Sequence, residues 1–364
     1  MNSIGSNSKR AVKVLIVEDS PIYQKILRNI LAETDEFEVV AIASNGLEAI
    51  KFASIYHPDV ISMDILMPVM DGIEATKQIM QSQPVPIVIV SNIYQTNDTD
   101  MAIKELQAGA VYILPKPSGP ADPNHSKDAV KYRNTLRLMS EIKVVKRHDR
   151  PYDKTPPVSV REVTRCSNPE EIKIIAIGAS AGGPESIRII LSNLSDSVKA
   201  PVVIVQHIDP HFIDGFISWL NSHSRLPVKA AEAGELVLPG RVYIAPGGKH
   251  MLLNKGGIVS LTDDLKSNGH IPSIDALFES VSKSFGEKSI GVLLSGMGRD
   301  GAEGLKRLNQ SGSFTMVQNE ESSLVYGMPN EAVKLGAACK ILPPEGITNE
   351  INNLFNKYGS RTKQ

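Results

Sequence analysis

Cysteine is nearly absent: two residues, Cys166 and Cys339, in 364. They lie far apart and form no metal-ligand spacing, which excludes a zinc module or a disulfide framework and makes a reduced, cytoplasmic setting the expectation. Charge of one sign is not in excess either. The 39 Lys and Arg against 40 Asp and Glu leave a formal net charge of −1, so neither nucleic acid nor an anionic membrane is an expected partner. No apolar run approaches the ~18 residues of a membrane span, and the start, Met1 to Arg10, is polar without an apolar core. A cytosolic protein with no membrane insertion is the expectation. What remains is an ordinary globular composition, 41% hydrophobic and 22% charged. The length exceeds what one core usually fills, which predicts two domains and a connection.

The first half alternates short apolar strands with helical segments. Val12–Val17, Val39–Ala43, Val60–Met63, Pro86–Val90 and Val111–Leu114 are the predicted strands. Ser20-Pro21 opens a helix, and Asn45 with Glu48 and Asp71 with Glu74 read as helix starts. Strands and helices in alternation imply a parallel sheet with helices on both faces, whose strand ends line one crevice. Those ends supply Glu18, Asp19, Asp64, Ser91 and Lys116. Three carboxylates in one crevice repel, so they call for a hard cation such as Mg²⁺, with Lys116 offsetting the remaining charge. A carboxylate so placed is able to accept a phosphoryl group.

Glu18-Asp19, Met63-Asp64, Met67-Pro68 with Asp71-Gly72, Ser91 and Lys116-Pro117 resemble the response-regulator receiver family in order and spacing. The resemblance implies that the doubly wound parallel sheet is flavodoxin-like, that Asp64 is the phosphoacceptor, that Glu18, Asp19, Asp64 and the Leu66 carbonyl hold Mg²⁺, and that Lys116 contacts the phosphoryl group. It also makes Ser91 and Tyr112 the switch positions. Pro115 before Lys116 departs from the pattern and stiffens that loop.

From Ser118 to Pro169 prolines recur, and one helical pattern, about Lys127 to Val145, closes the first domain. The domain is therefore drawn over 12–145, after a disordered start at 1–11, and a basic linker follows over 146–170. Lys143, Lys146, Arg147, Arg150, Lys154, Arg161 and Arg165 give the connection its charge. A solvated linker is the plain reading, and a dock for an acidic partner the sharper one.

The second domain, 171–357 before a tail at 358–364, opens on Ile174 to Ile177 running into Gly178-Ala179-Ser180-Ala181-Gly182-Gly183. Pro184 then starts a segment with Ile187, Ile190, Leu191 and Leu194 at helical spacing. The G-x-S-x-G pattern fits a nucleophile on a strand-to-helix turn; a phosphate-binding loop would look similar. Further strands are Pro201–Val205, which ends near His207, Val242–Ile244, and Ile290–Leu294, which runs towards Asp300, and Met251–Leu261 reads as a hairpin. If these strands are parallel, Ser180, His207 and Asp300 gather at one edge of a mostly parallel, doubly wound α/β domain. They supply a nucleophile, a base and a group to orient the base. An α/β-hydrolase would place its acid before its histidine, and a dinucleotide fold would close its second strand with an acid where Gln206 stands.

The Ser180 turn, Gln206-His207-Ile208, Ile244 to His250, Pro272 to Asp275 and Ser295 to Gly301 resemble the chemotaxis protein-glutamate methylesterase family over about 172–357. The resemblance implies Ser180 as nucleophile, His207 as base, Asp300 as its orienter and the Met297 N–H as oxyanion donor. Ala181 stands where threonine is usual, and no catalytic role is assigned to His250 or to 272–275. It further implies demethylation of glutamyl methyl esters, and deamidation of glutamines, on chemoreceptor cytoplasmic domains. A chemotaxis histidine kinase would be the phosphodonor, and the unphosphorylated receiver is expected to cover the Ser180 edge. The esterase chemistry needs no cofactor. The alternative is a response-regulator relay that binds a protein partner without catalysis.

Overall fold

The computed structural model describes residues 10–91, 106, 108–142, 144, 161–162, 171–264 and 270–361, and the chain divides into two units, Met1–Asp149 and Arg150–Gln364. The start at 1–9 and the basic stretch from 145 to 160 lie outside the described residues.

In the first unit the order is β1 (Val12–Val17), α1 (Pro21–Ala32), β2 (Phe37–Ala43), α2 (Gly46–Tyr56), β3 (Val60–Met63), α3 (Gly72–Ser82), β4 (Ile87–Ser91), β5 (Tyr112–Pro115) and α4 (His125–Ser140). The strands lie β2-β1-β3-β4-β5, all parallel. This is the expected flavodoxin-like order, and its reversal falls between β1 and β3. The central strands are continuous apolar runs because both faces are covered: Val14, Leu15, Ile16, Val60, Ile61, Val88 and Ile89 are all buried. Asn45 Oδ1 accepts the Glu48 N–H at 3.0 Å, and Asp71 Oδ1 the Glu74 N–H at 2.9 Å, so both helix starts form as read. Two boundaries move. β2 begins at Phe37, because Phe37 and Glu38 pair with Val12 and Lys13 although Glu38 breaks the apolar run. The last helix occupies 125–140 and closes on Glu141, whose N–H turns back to the Leu138 carbonyl.

The second unit holds β6 (Arg161–Glu162), β7 (Ile174–Ala179), α5 (Gly183–Asn193), β8 (Val202–Gln206), α6 (Ile213–His223), β9 (Val228–Ala230), β10 (Val242–Ile244), β11 (His250–Leu253), β12 (Val259–Thr262), α7 (Ile274–Phe285), β13 (Ser289–Leu293), α8 (Ala302–Gln310), β14 (Phe314–Gln318), α9 (Met328–Lys334), β15 (Lys340–Leu342) and α10 (Pro344–Arg361). Its main sheet runs β6-β15-β14-β13-β7-β8-β10-β9, parallel except for β6. The mostly parallel sheet is as expected, and β11 and β12 form the hairpin. Arg161 and Glu162, assigned to the linker by composition, pair with the sheet edge at β15. At the other end α10 runs past 357 to Arg361.

β9 and β15 span three residues each and, unlike the equally short but wholly apolar β10 (Val242–Ile244), carry a lysine, Lys229 and Lys340, that hides them; β14 carries buried Thr315 and Gln318 among its apolar residues. Chain order reverses between β7 and β13, so the residues following these two strands share a crevice at the sheet's carboxyl edge. Cys166 lies outside the described residues, and the expectation of a reduced setting does not hold for Cys339, which is disulfide-bonded. Sequence spacing held no sign of this. Among the described residues no helix is long and apolar enough to cross a membrane.

Candidate functional sites

In the first unit, residues just past β1, β3 and β5 meet at the reversal of strand order. Lys116 Nζ stands 2.7 Å from Glu18 Oε2 and 2.8 Å from Asp64 Oδ2, and 4.6 Å above the Tyr23 ring. Carboxylate oxygens of Glu18, Asp19 and Asp64 all lie within 4.8 Å of one another. Burial, then the charge of Asp64, push the Glu18 carboxyl up to about 7, with Lys116 pulling the other way. Burial likewise raises Asp64 against the same lysine. Carboxylates crowded and desolvated in this way, only part of their charge met by one ammonium, fit a hard divalent cation with oxygen ligands.

The Ile65 N–H reaches Asp64 Oδ1 at 2.8 Å, and the exposed Leu66 follows on the same turn. Ser91 ends β4, buried, and its carbonyl accepts the Lys116 N–H at 2.9 Å. Pro115 is in register with Ser91, so the stiffened residue is the last of β5 and leads straight into Lys116. Tyr112 lies at the other end of β5, opposite Val88 and half-buried.

In the second unit Ala179 and Gln206 are register partners on adjacent parallel strands. Ser180 and His207 are therefore the next residues on two neighbouring chains, and the His207 N–H donates to the Ala179 carbonyl at 2.9 Å. The Ser180 N–H donates to Ser295 O at 3.0 Å and its carbonyl accepts the Gly183 N–H at 2.8 Å, which closes the turn. His207 Nε2 lies 2.9 Å from Asp300 Oδ2. The same carboxylate accepts the Ile274 N–H at 2.8 Å, the Asp275 N–H at 3.0 Å and the Ser273 hydroxyl at 3.0 Å.

Burial by itself would raise the Asp300 carboxyl; the His207 hydrogen bond and charge, with the two N–H groups at the start of α7, override it and hold it at about 2. An ionised carboxylate only accepts, so Nε2 carries the His207 proton and Nδ1 is left as the acceptor for a nucleophile. Among the described residues Ser180 Oγ has no hydrogen-bond partner, His207 included. The structure joins His207 to Asp300 and sets Ser180 on the adjoining strand end.

Three features escaped the sequence. Residues 273–275, given no catalytic role there, hold the Asp300 carboxylate. Their approach depends on Gly178, where a Cβ would stand 2.2 Å from Ile274 Cγ2. His270 stacks on His207 with ring centroids 4.7 Å apart and planes 13° from parallel. Burial, then the neighbouring His207, lowers its pKa and favours a neutral ring beside the His207–Asp300 pair. Gly296 backs Ser180: a Cβ there would meet Met328 Sδ at 2.4 Å and Ser180 Cβ at 2.7 Å. Met328 can swing aside, but Ser180 is fixed by its backbone bonds. Gly296→Ala should displace the serine and lower kcat about 100-fold with the protein still folded, measured by ester turnover beside circular dichroism. Unchanged kcat would show that Ser180 tolerates the shift.

The buried Ala181 leaves its carbonyl to the Ser295 hydroxyl at 2.7 Å, so the turn is secured from the 295–298 loop rather than by a side chain at 181. Met297 follows Gly296 in that loop, half-buried.

Residues 14–125 match the family model described as response regulator receiver domain, and 175–351 the one described as CheB methylesterase. A two-layered reading follows: a response regulator whose output domain is of an enzyme family. Among curated proteins, the protein-glutamate methylesterase/protein-glutamine glutaminase 4 of Geobacter metallireducens is 44% identical over 345 residues, 94% of this chain and 99% of the relative. Number 3 of Hahella chejuensis is also 44% identical, over 94% of this chain and 98% of its own. The crystal structure of the Thermotoga maritima CheB methylesterase catalytic domain is 37% identical, covering 50% of this chain and 99% of that one with a TM-score of 0.49. The chain belongs to the protein-glutamate methylesterase/protein-glutamine glutaminase family.

Proposed function

We propose that this protein is a phosphorylation-activated hydrolase that removes methyl groups from glutamyl side chains, and amide groups from glutaminyl ones, on the cytoplasmic helices of chemoreceptors. The observation that carries the reading is His207 paired with the buried Asp300 beside a backbone-locked serine, which a relay without catalysis would not need. Ser180 Oγ attacks the ester carbonyl as its proton passes to His207 Nδ1. The Asp300 carboxylate steadies the imidazolium so formed, and the Met297 N–H is the donor assigned to the oxyanion. Collapse breaks the ester C–O bond, and methanol leaves with the proton from His207. Water then attacks the acyl-enzyme through the same base and frees Ser180 and a glutamate carboxylate. With a glutaminyl substrate the leaving group is ammonia. A hydrogen bond between serine and histidine in such sites tightens when substrate binds.

At the receiver, Asp64 takes the phosphoryl group from a chemotaxis histidine kinase or a small phosphodonor. Glu18, Asp19, Asp64 and the Leu66 carbonyl are the residues proposed to hold Mg²⁺, which when bound neutralises charge on the transferred oxygens. Lys116 is the second source of positive charge, and Ser91 and Tyr112 are the proposed switch positions. The test is methanol release from a methylated receptor fragment by the full-length protein, with and without a phosphodonor and Mg²⁺, for wild type and Asp64→Asn. Release stimulated in wild type and unstimulated in the variant is expected. Equal stimulation of both would remove Asp64 from the mechanism, and no release under any condition would remove the esterase reading.

A further inference from the structure

Gln206 is the last residue of β8, buried at 2% exposure and immediately before His207. Its Nε2 donates to the Ser180 carbonyl at 2.9 Å and to the His207 carbonyl at 2.9 Å. Both neighbours are acceptors, so the amide is oriented by its surroundings, and both of its hydrogens are used. Its Oε1, equally buried, has no partner among the described residues. That oxygen presses on the start of α5, where a Cβ on Gly183 would lie 2.4 Å from it.

A buried acceptor without a partner works against stability. A side chain selected only to fill this position would carry no orphaned oxygen. Beyond the strand pairing itself, Gln206 ties the carbonyls of two residues that follow different strands and must meet closely for the reaction. We propose that Gln206 is a positioning residue for the hydrolysis: its single amide nitrogen clamps the backbone of Ser180 to that of His207 and sets the approach of hydroxyl to imidazole. The inference rests on the Ser180–His207–Asp300 reading above. It adds to that triad a group which touches neither substrate nor the reacting atoms.

Two variants of the full-length, phosphodonor-activated protein separate the clamp from simple packing. Gln206→Glu keeps the shape and replaces the donor with an oxygen facing two carbonyls, and Gln206→Met keeps the length with neither donor nor acceptor. Both should lower kcat for methanol release about 100-fold, with KM within about threefold of wild type, since uniform binding is untouched. Labelling of Ser180 by a fluorophosphonate, which needs no receptor, should slow in the same proportion. Gln206→Met removes the orphaned acceptor but also both donated hydrogen bonds, so its Tm should stay near that of wild type while the kcat loss persists well below that Tm.

Ser180→Ala is the reference. If it neither labels nor releases methanol while both Gln206 variants turn over like wild type, the clamp is overturned and the triad stands. If Ser180→Ala still releases methanol, the triad reading falls and the clamp with it. A kcat loss in Gln206→Met that tracks a lowered Tm and disappears on cooling would make Gln206 a packing residue and likewise overturn the proposal.

Discussion

Ser180→Ala should reduce methanol release by about 10⁶-fold, the scale on which removal of the nucleophile alone disables a serine hydrolase. The structure makes this an unusually clean substitution. Ser180 is held through its backbone, with its N–H on Ser295 O at 3.0 Å and its carbonyl bound by Gly183 N and Gln206 Nε2. Its Oγ has no hydrogen-bond partner among the described residues, so the change deletes one oxygen and breaks no bond. The variant should therefore keep the Tm of wild type, and any loss of turnover is chemical rather than structural. Covalent labelling by a fluorophosphonate should vanish with it. Methanol release that persists in Ser180→Ala would place the nucleophile elsewhere in the crevice.

What the sequence disclosed and what it hid divide along a physical line. Glu18, Asp64, Lys116, Ser180 and His207 were legible because each is a polar or small residue at the end of an apolar strand. In a parallel sheet such ends converge whatever the helices between them do. Alternation alone calls for a parallel sheet with helices on both faces; the flavodoxin-like order comes with the receiver resemblance. The groups that hold those residues in place were not legible. Asp300 is oriented by the start of α7, a contact that depends on Ile274 settling over Gly178, and no local pattern announces it. Pro272 to Asp275 were visible as a motif but not as the cradle of a carboxylate. His270 lies beyond a hairpin and meets His207 only in three dimensions. Gln206 entered the sequence argument solely as a residue that is not an acid; its role emerges from two carbonyls that β7 and β8 bring to one amide. The three-residue strands β9 and β15 were lost for a plainer reason, since pairing with their neighbours rather than their own composition makes them strands.

Asp300→Asn should lower kcat about 10⁴-fold, more than loss of one hydrogen bond would suggest, because it disturbs the proton on the histidine. All four bonds at the Asp300 carboxylate come from donors: Ser273 Oγ and Asp275 N at Oδ1, Ile274 N and His207 Nε2 at Oδ2. An amide offers one acceptor atom, and its NH₂ must face a donor wherever it is placed. Turned towards His207, it forces Nε2 to accept and moves the ring proton to Nδ1, the nitrogen needed as base. Turned the other way, it confronts the Asp275 N–H and the Ser273 hydroxyl and loosens the start of α7.

Either outcome also destabilises the domain, and the pH dependence identifies the source. The folded carboxyl sits at about 2 against an ordinary 3.8. Its contribution, on the order of 2 kcal/mol, is therefore complete above the unfolded value and is lost as pH falls from there through about 2. In urea denaturation, the gap between wild type and Asp300→Asn should be widest from pH 5 to 7 and narrow steadily below pH 4. A gap independent of pH would mean that packing, and not the ionised carboxylate, is what the variant lost. A normal kcat would mean that His207 finds its tautomer without Asp300.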